Sequence, residues 1–475
     1  MDTRKISFEI LKRIELEDAF VGEVLDSALR TMQFSDKRDR AFITRLVEGV
    51  TERRISLDFL IGKFSKKDSR RNKTSEIDTT IILRMGIYQI RYMDSVPDSA
   101  AVSEMVKLTK TLGYQGLAGY VNGLLRNVSR AKEEKKLDSY LVSRMDARYS
   151  TPQWLCDFFT QTYGKEMAKT ILEDQYKEHD TVVRVNTLKT TVPDLKELFE
   201  KNKITVKTGI LSDRSLRISG YDSVRRLPGY KDGLFAIQDE TSTYTVEHIG
   251  IKPGDRVLDI CSAPGGKSLL AYELTCGTDK NGNAVCGTIV SRDISENKIE
   301  KIYENAQRLG IPSSKIEIGL HNANPRNIYQ QGINLEISDA TELDESLASL
   351  PDKEKYDVVI ADVPCSGLGI IGRKNDIKYH MSPEIMEELA EQGLNILTNA
   401  SKYVKPFGRI CFSTCTINPA ENQDVVRAFL DTANKMAKAP HYQGALPYSI
   451  IDERTFLQGR DGSDGFYYCI LSRNV

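Results

Sequence analysis

The chain has no apolar run approaching the roughly 18 residues of a membrane-spanning helix, so a membrane is not expected among its partners. Its first residues, Met1-Asp2-Thr3-Arg4-Lys5, lead into an amphipathic pattern rather than the apolar core of a signal peptide. Histidine is scarce. The five present (His179, His248, His321, His380 and His441) show no metal-ligand spacing, which argues against zinc-dependent base chemistry and gives no metal site. Cysteine is also sparse, eight in 475 residues at irregular intervals. That is no disulfide framework, and it points to a reducing, cytoplasmic home.

What remains is an ordinary globular composition, 40% hydrophobic and 28% charged. At 475 residues the chain exceeds one domain, and three is the natural number. The net charge of −1 conceals an asymmetry: residues 1–140 carry +5, residues 141–240 carry +1, and the rest carries −7. The densest basic run is Lys63, Lys66, Lys67, Arg70, Arg71 and Lys73, opposed only by Asp68. Such a run attracts phosphates in a salt-dependent way, although most runs of this kind are solvated loops.

Helical periodicity dominates the front. Apolar residues recur at turn spacing in Phe42-Ile43-Leu46-Val47-Val50 and in Ile81-Ile82-Met85-Ile87-Tyr88-Ile90, and Pro97 separates one helix from the next. Lys132-Glu133-Glu134-Lys135-Lys136 reads as a charged linker or helix end. A mixed stretch follows, with strand candidates at Thr181–Asn186 and Leu216–Ile218 and helices near 157–174 and 195–201. From residue 241 strands and helices alternate, which calls for a parallel sheet with helices on both faces. Ligands of such sheets sit at the carboxyl ends of the strands. Cys261, Asp293, Asp362 and Cys415 stand there.

Cys365 and Cys415 are thiols in short strand-end motifs, Asp362-Val363-Pro364-Cys365-Ser366-Gly367 and Ser413-Thr414-Cys415-Thr416. Two nucleophiles in one site suggest covalent chemistry. A third motif, Asp259-Ile260-Cys261-Ser262-Ala263-Pro264-Gly265-Gly266-Lys267, runs from a strand through two glycines into a helix, so backbone amides can approach a ligand. Asp293, after the next strand, is placed to accept hydrogen bonds from ribose hydroxyls. Gly266-Lys267-Ser268 imitates the end of a P-loop, but the glycine required five positions earlier is Cys261. No G-x-G-x-x-G is present either. S-adenosylmethionine, a nucleoside without phosphates, is the cofactor left.

With these motifs the chain resembles the Sun-type RNA (cytosine-5)-methyltransferases, in the bacterial ribosomal subgroup with a NusB-like N-terminal domain. Arg184-Val185-Asn186-Thr187, Gln238-Asp239-Glu240, Glu421-Asn422, and the stretches 35–49 and 83–126 support the likeness. The resemblance implies a multidomain fold. An all-α NusB-like RNA-binding bundle would span 1–130 and a linker 131–144. A small α+β RNA-binding module would span 145–235, and an α/β Rossmann-like methyltransferase domain 236–475.

It also implies methylation of carbon 5 of a cytosine in small-subunit (16S) ribosomal RNA, by a monomer. The same chemistry on transfer RNA and a non-catalytic RNA-binding assembly factor are the alternatives. Carbon 5 of cytosine is a poor nucleophile until a thiolate adds to carbon 6. The resemblance makes Cys415 that nucleophile and Cys365 the thiol that assists release, although DNA cytosine methyltransferases attack with the cysteine of a Pro-Cys motif, so Cys365 stays the rival. Asp362 would hydrogen-bond the cytosine edge. The cofactor would be held by Cys261, Ser262, Ala263, Pro264, Gly265, Gly266, Lys267, Asp293, Asp339 and Asp362. Asp339 would read the adenine amino group, or else cap a helix. Lys267 is expected to depress a thiol pKa if it faces the site. Arg373 and Lys374 are candidates for substrate phosphates, and Glu421 and Asn422 for support of the Cys415 loop. Cys156, Cys411 and Cys469 read as inert core thiols. Cys276 and Cys286 read first as incidental thiols in a surface loop, with a metal clip or a disulfide as the alternatives. That loop and the segment Gly310 to Leu335 are longer than the family pattern, and Thr416 stands where serine is commoner.

Overall fold

The computed structural model describes residues 2–31, 37–65, 73–278, 281–319, 331–437 and 448–474. Most of the basic run, Lys66 to Arg71, lies outside them. So does His321 and much of the long segment before Leu335. Two compact units are present: residues 1–177 with 371–381, and residues 178–370 with 382–475. No helix among the described residues is long and apolar enough to cross a membrane.

The first unit is all helical, beginning with Thr3–Glu17 and including Lys37–Glu52, Lys73–Tyr92, Asp98–Thr111 and Ala118–Glu133. Their apolar stripes share one core in which Ile43, Leu46, Val47, Met85, Ile87 and Leu125 are fully buried. The charged stretch 132–136 holds the end of the helix Ala118–Glu133, one of the two readings given to it. The charged residues 132–136 lead into the helix Leu137–Val142, whose Leu137 and Leu141 enter that same core. The surface charges hid two buried leucines four residues apart on one helix face.

Residues 371–381 belong to this unit as well. There Asp376 accepts a hydrogen bond from the Val21 amide at 2.5 Å, and Lys378 Nζ donates to Gln175 Oε1 at 2.8 Å and to the Glu52 carbonyl at 3.1 Å. Arg373 and Lys374, proposed for substrate phosphates, are exposed on the same segment.

The second unit holds two sheets. Strands β1 (Thr181–Val185), β2 (Thr205–Thr208), β3 (Ser215–Ser219) and β4 (Phe235–Ile237) form an antiparallel sheet in the order β2-β3-β1-β4. The helix Val192–Lys201, opened by a Thr191 cap on the Asp194 amide, packs Leu195 and Phe199 onto Val183, Val185, Leu216 and Ile218.

The larger sheet is built from β5 (Arg256–Asp259), β8 (Thr288–Asp293), β9 (Ile316–Gly319), β10 (Gly332–Ile337), β11 (Tyr356–Asp362), β12 (Val404–Thr414), β13 (Tyr448–Phe456) and β14 (Phe466–Arg473). A separate hairpin, β6 (Gly277–Thr278) with β7 (Ala284–Val285), precedes β8. The order is β13-β14-β12-β11-β5-β8-β10-β9, parallel from β12 through to β9 and antiparallel at β14 and β13. The chain steps from β5 to one side for β8 and returns to the other for β11, so the strand order reverses at β5. In open parallel sheets that is where ligands bind. Cys276 and Cys286, expected as incidental thiols, are joined as a disulfide that closes the hairpin.

The Arg-Val-Asn-Thr and Gln-Asp-Glu motifs form the seam inside this unit. Arg184, fully buried on β1, donates to Gln238 Oε1 at 2.7 Å and pairs with Glu273, itself 3% exposed, on the helix Gly266–Thr275. Asn186 Nδ2 bonds the carbonyls of Gly233 and Leu309, both at 2.9 Å. Glu240 accepts from Arg217 at 2.7 Å and from the Leu211 and Ser212 amides at 2.6 and 3.2 Å.

Glu273→Leu leaves the Arg184 charge buried without its partner and should cost about 3–5 kcal/mol of stability, whereas the double change R184M/E273L should recover much of that loss; chemical denaturation of the three proteins checks it. In the helical unit, burial lowers the Lys378 ammonium to about 7 from 10.5. Between those values the unfolded chain binds a proton that the native chain does not, so this residue's contribution to stability rises with pH and is fully lost below pH 7. Thermal melts from pH 7 to 10 should therefore show the wild type gaining on Lys378→Met as pH rises.

Candidate active site

The carboxyl edge of the large sheet carries three loops. The first follows β5. Asp259 ends the strand fully buried and accepts from Ser268 Oγ at 2.6 Å. Burial raises its pKa to about 7 against the opposing Ser268 hydrogen bond. The loop then turns at Gly265 (φ 99°), where a Cβ would also meet Ile302 at 3.0 Å, so glycine is required twice over. Its backbone is held from β8: Ser262 N and Oγ both donate to the Arg292 carbonyl at 2.9 Å, and Ala263 N donates to Asp293 Oδ2 at 2.8 Å. Asp293 also takes the Ile294 amide and pairs with Lys298, each at 2.8 Å. It is thus a brace for the loop, with lone pairs remaining on a carboxylate that offers about four acceptor positions. The Cys261 thiol is pushed well up by burial and by Asp259, Asp293 and Asp362, which suits a residue contributing backbone rather than a nucleophile.

The second loop follows β11. Asp362 accepts from Lys267 Nζ at 2.6 Å through Oδ2 and from Ser413 Oγ at 2.7 Å through Oδ1. Lys267 additionally donates to Ser242 Oγ at 3.1 Å. Burial would lower the Lys267 ammonium, but the charges of Asp362 and Asp259 outweigh it and leave the pKa raised. The Lys267 charge is paired with Asp362, and it also opposes the rise that burial imposes on the Cys411 thiol. Ser413 and Ser242 were not anticipated. Ser413 could have been found, because it lies two residues before Cys415 at the end of one strand, and residues so spaced share a face.

Cys365 on the second loop and Cys415 on the third, which follows β12, meet with their sulfurs 3.3 Å apart, both half-buried. Gly369 N donates to the Cys415 carbonyl at 3.0 Å and Val363 N to the Ser413 carbonyl at 3.1 Å, so the two loops are laced by backbone bonds. Asn422 holds the third loop, accepting from Thr414 Oγ1 at 2.6 Å and donating to the Thr416 carbonyl at 3.0 Å. The Cys365 thiol is held well above its ordinary value by its hydrogen bond with Cys415 and by burial. Either sulfur can be the donor of the hydrogen bond between them. Cys156, Cys411 and Cys469 are buried free thiols elsewhere.

Asp339 lies two residues beyond β10 on the same edge of the sheet. Its Oδ1 accepts from the Thr341 amide and hydroxyl at 2.8 and 2.7 Å, a local turn rather than a helix cap. No group of histidine, cysteine, aspartate or glutamate among the described residues could hold a metal ion.

The donor set of this edge fits a nucleoside bearing a positive charge. Carboxylates stand after β8, β10 and β11, and Lys267, the ammonium beside Asp362, is already paired with it. Such a rim suits hydroxyls, an amino group and a sulfonium, and would repel a polyphosphate.

Comparison with known proteins agrees with this geometry. The model of the 16S rRNA methyltransferase RsmB/F family matches residues 247–472, that of the NusB family residues 1–130, and that of the RsmF/B-like ferredoxin-like domain residues 151–225. The chain is 30% identical to "Probable ribosomal RNA small subunit methyltransferase B" of Bacillus subtilis, over 99% of this chain and 98% of that one. It is also 30% identical to the protein of the same name from Synechocystis, over the full length of both. The crystal structure of the protein PH0851 shares the fold over 99% of each chain, with a TM-score of 0.72 at 18% identity. Site geometry, three consecutive domain matches and full-length relatives lead to one conclusion: the chain belongs to the RsmB/F family of S-adenosylmethionine-dependent methyltransferases.

Proposed function

We propose that the chain methylates carbon 5 of a cytosine in small-subunit (16S) ribosomal RNA, acting in the cytoplasm as a monomer through a covalent adduct on Cys415. The observation that carries this reading is the 3.3 Å approach of Cys365 and Cys415 beside Asp362. S-adenosylmethionine supplies an electrophilic methyl group. The loop Cys261, Ser262, Ala263, Pro264, Gly265, Gly266 and Lys267 would hold it together with Asp293, Asp339 and Asp362.

The residues of the chain divide the remaining work. Cys415, as thiolate, adds to carbon 6 of a base extruded from its stack, forming an S–C6 bond and giving carbon 5 enamine character. Asp362, fixed by Lys267 and Ser413, presents its carboxyl group to the cytosine edge, and the Lys267 charge beside it offsets charge developing in the adduct. Once carbon 5 has taken the methyl group, its proton passes to water, the C5–H electron pair forms the C5=C6 double bond, and the S–C6 bond breaks with its pair returning to the Cys415 sulfur as thiolate. Cys365, kept as a thiol, then donates a hydrogen bond to the departing sulfur. This order agrees with the raised Cys365 pKa, because the group that stays protonated is the donor and not the attacker.

Incubation with labelled S-adenosylmethionine and unmodified small-subunit ribosomal RNA should give 5-methylcytidine; transfer to transfer RNA alone, or to neither, overturns the substrate or the enzyme reading. Cys415→Ala should abolish transfer and leave no covalent RNA. Cys365→Ala should retain attack and accumulate a protein–RNA adduct visible on a denaturing gel. An exchange of those two outcomes reverses the assignment of the thiols.

A further inference from the structure

One buried carboxylate is not used by the chemistry above. Glu421 ends the single 3-10 turn Pro419–Glu421 and is 2% exposed. Its Oε2 accepts from the Ser366 amide at 2.7 Å, and its Oε1 accepts from Ser366 Oγ at 2.5 Å and from Asn418 Nδ2 at 2.9 Å. Ser366 Oγ in turn lies 2.7 Å from Thr416 Oγ1, and the Asn418 amide lies 3.2 Å from that same hydroxyl. Ser366 directly follows Cys365, and Thr416 directly follows Cys415. The carboxylate therefore grips the neighbour of one thiol and, through one shared hydroxyl, the neighbour of the other.

A three-residue turn does not need this group. Among the described residues no lysine or arginine pairs with Glu421, and burial raises its carboxyl pKa despite the hydrogen bonds from Ser366 and Asn418. What the position requires is an acceptor without a donor, because a backbone amide, a hydroxyl and a side-chain amide converge on it. A carboxylate meets that requirement. A glutamine would turn an N–H toward at least one of these donors.

We propose that Glu421 is the positioning residue of the two-thiol chemistry: its carboxylate locks the Cys365 loop to the Cys415 loop and sets the separation at which one sulfur can assist release of the other. This rests on the reading of Cys365 as the release thiol. The Glu421 charge also adds to the influences that keep Cys365 protonated, after the Cys415 hydrogen bond and burial.

The test compares full-length E421Q and E421D, alone and in the Cys365→Ala background, using unmodified small-subunit ribosomal RNA and S-adenosylmethionine. Glu421→Gln should lower kcat roughly ten- to hundredfold, the scale of a small misplacement of reacting groups. KM for both substrates should stay within about twofold. The covalent adduct should accumulate as it does when Cys365 is lost, and E421D, shorter but acceptor-only, should recover part of the turnover. In the Cys365→Ala background the glutamine should add little, because the two changes disable the same step. Loss of turnover without adduct, a full multiplicative effect on top of Cys365→Ala, or a fall in Tm that tracks the activity loss in both variants overturns the proposal. The two readings fail separately. If Cys365→Ala traps no adduct, the release assignment falls; if it traps adduct and E421Q does not, only the role of Glu421 falls.

Discussion

The in-register parallel pairing of β11 with β12 is the constraint on which the site depends. Asp362 stands opposite Ser413. Neighbouring strands lie about 4.8 Å apart, so two strands that end level deliver their following loops side by side. Cys365 comes three residues after Asp362, Cys415 two after Ser413, and the sulfurs meet at 3.3 Å. A slip of one residue would turn Ser413 to the other face of the sheet and shift the loop that carries Cys415 with it. The register is secured from both sides: β5 pairs with β11, and β14 runs antiparallel along β12 from Arg409 to Thr414.

Charge placement adds a second selection to that geometry. The carboxyl edge gathers Asp259, Asp293, Asp339 and Asp362, and Lys267 is tied to Asp362 at 2.6 Å. An ammonium so committed cannot also stabilise a thiolate at full strength. The Cys415 sulfur instead has the other thiol, that of Cys365, 3.3 Å away. In the proposed chemistry the pair would divide acid and nucleophile between identical side chains, as sites do when environment sets two like groups apart.

The parallel sheet, its strand ends and the paired thiols were legible in the sequence because strand–helix alternation and strand-end motifs are local signals. Arg184 and Asn186 were legible only as family motifs. Their work depends on Gln238, Glu273 and Leu309, which are 54 to 123 residues away, and no local pattern reports a partner at that distance. Leu137 and Leu141 escaped notice for the opposite reason: a dense local signal, five charged residues at 132–136, stands directly before them. The Cys276–Cys286 bridge was ranked below incidental thiols because composition speaks for the whole chain, whereas a hairpin ten positions long brings two thiols together regardless of it.

The helical unit is discontinuous, and its interior explains why this must matter. The Val21 amide, the Glu52 carbonyl, Ser150 and Gln175 all find partners on residues 376–379. Residues 1–177 taken alone would leave those polar groups without them, and unsatisfied buried groups are costly. Lys378 enters as a side chain whose pKa burial lowers to about 7, so the segment brings its own electrostatic penalty into that interior. A stretch that supplies required hydrogen bonds while adding a buried amine is not a passive connector. It makes completion of the helical unit depend on chain that emerges nearly two hundred residues later, immediately beyond the loop that carries Cys365.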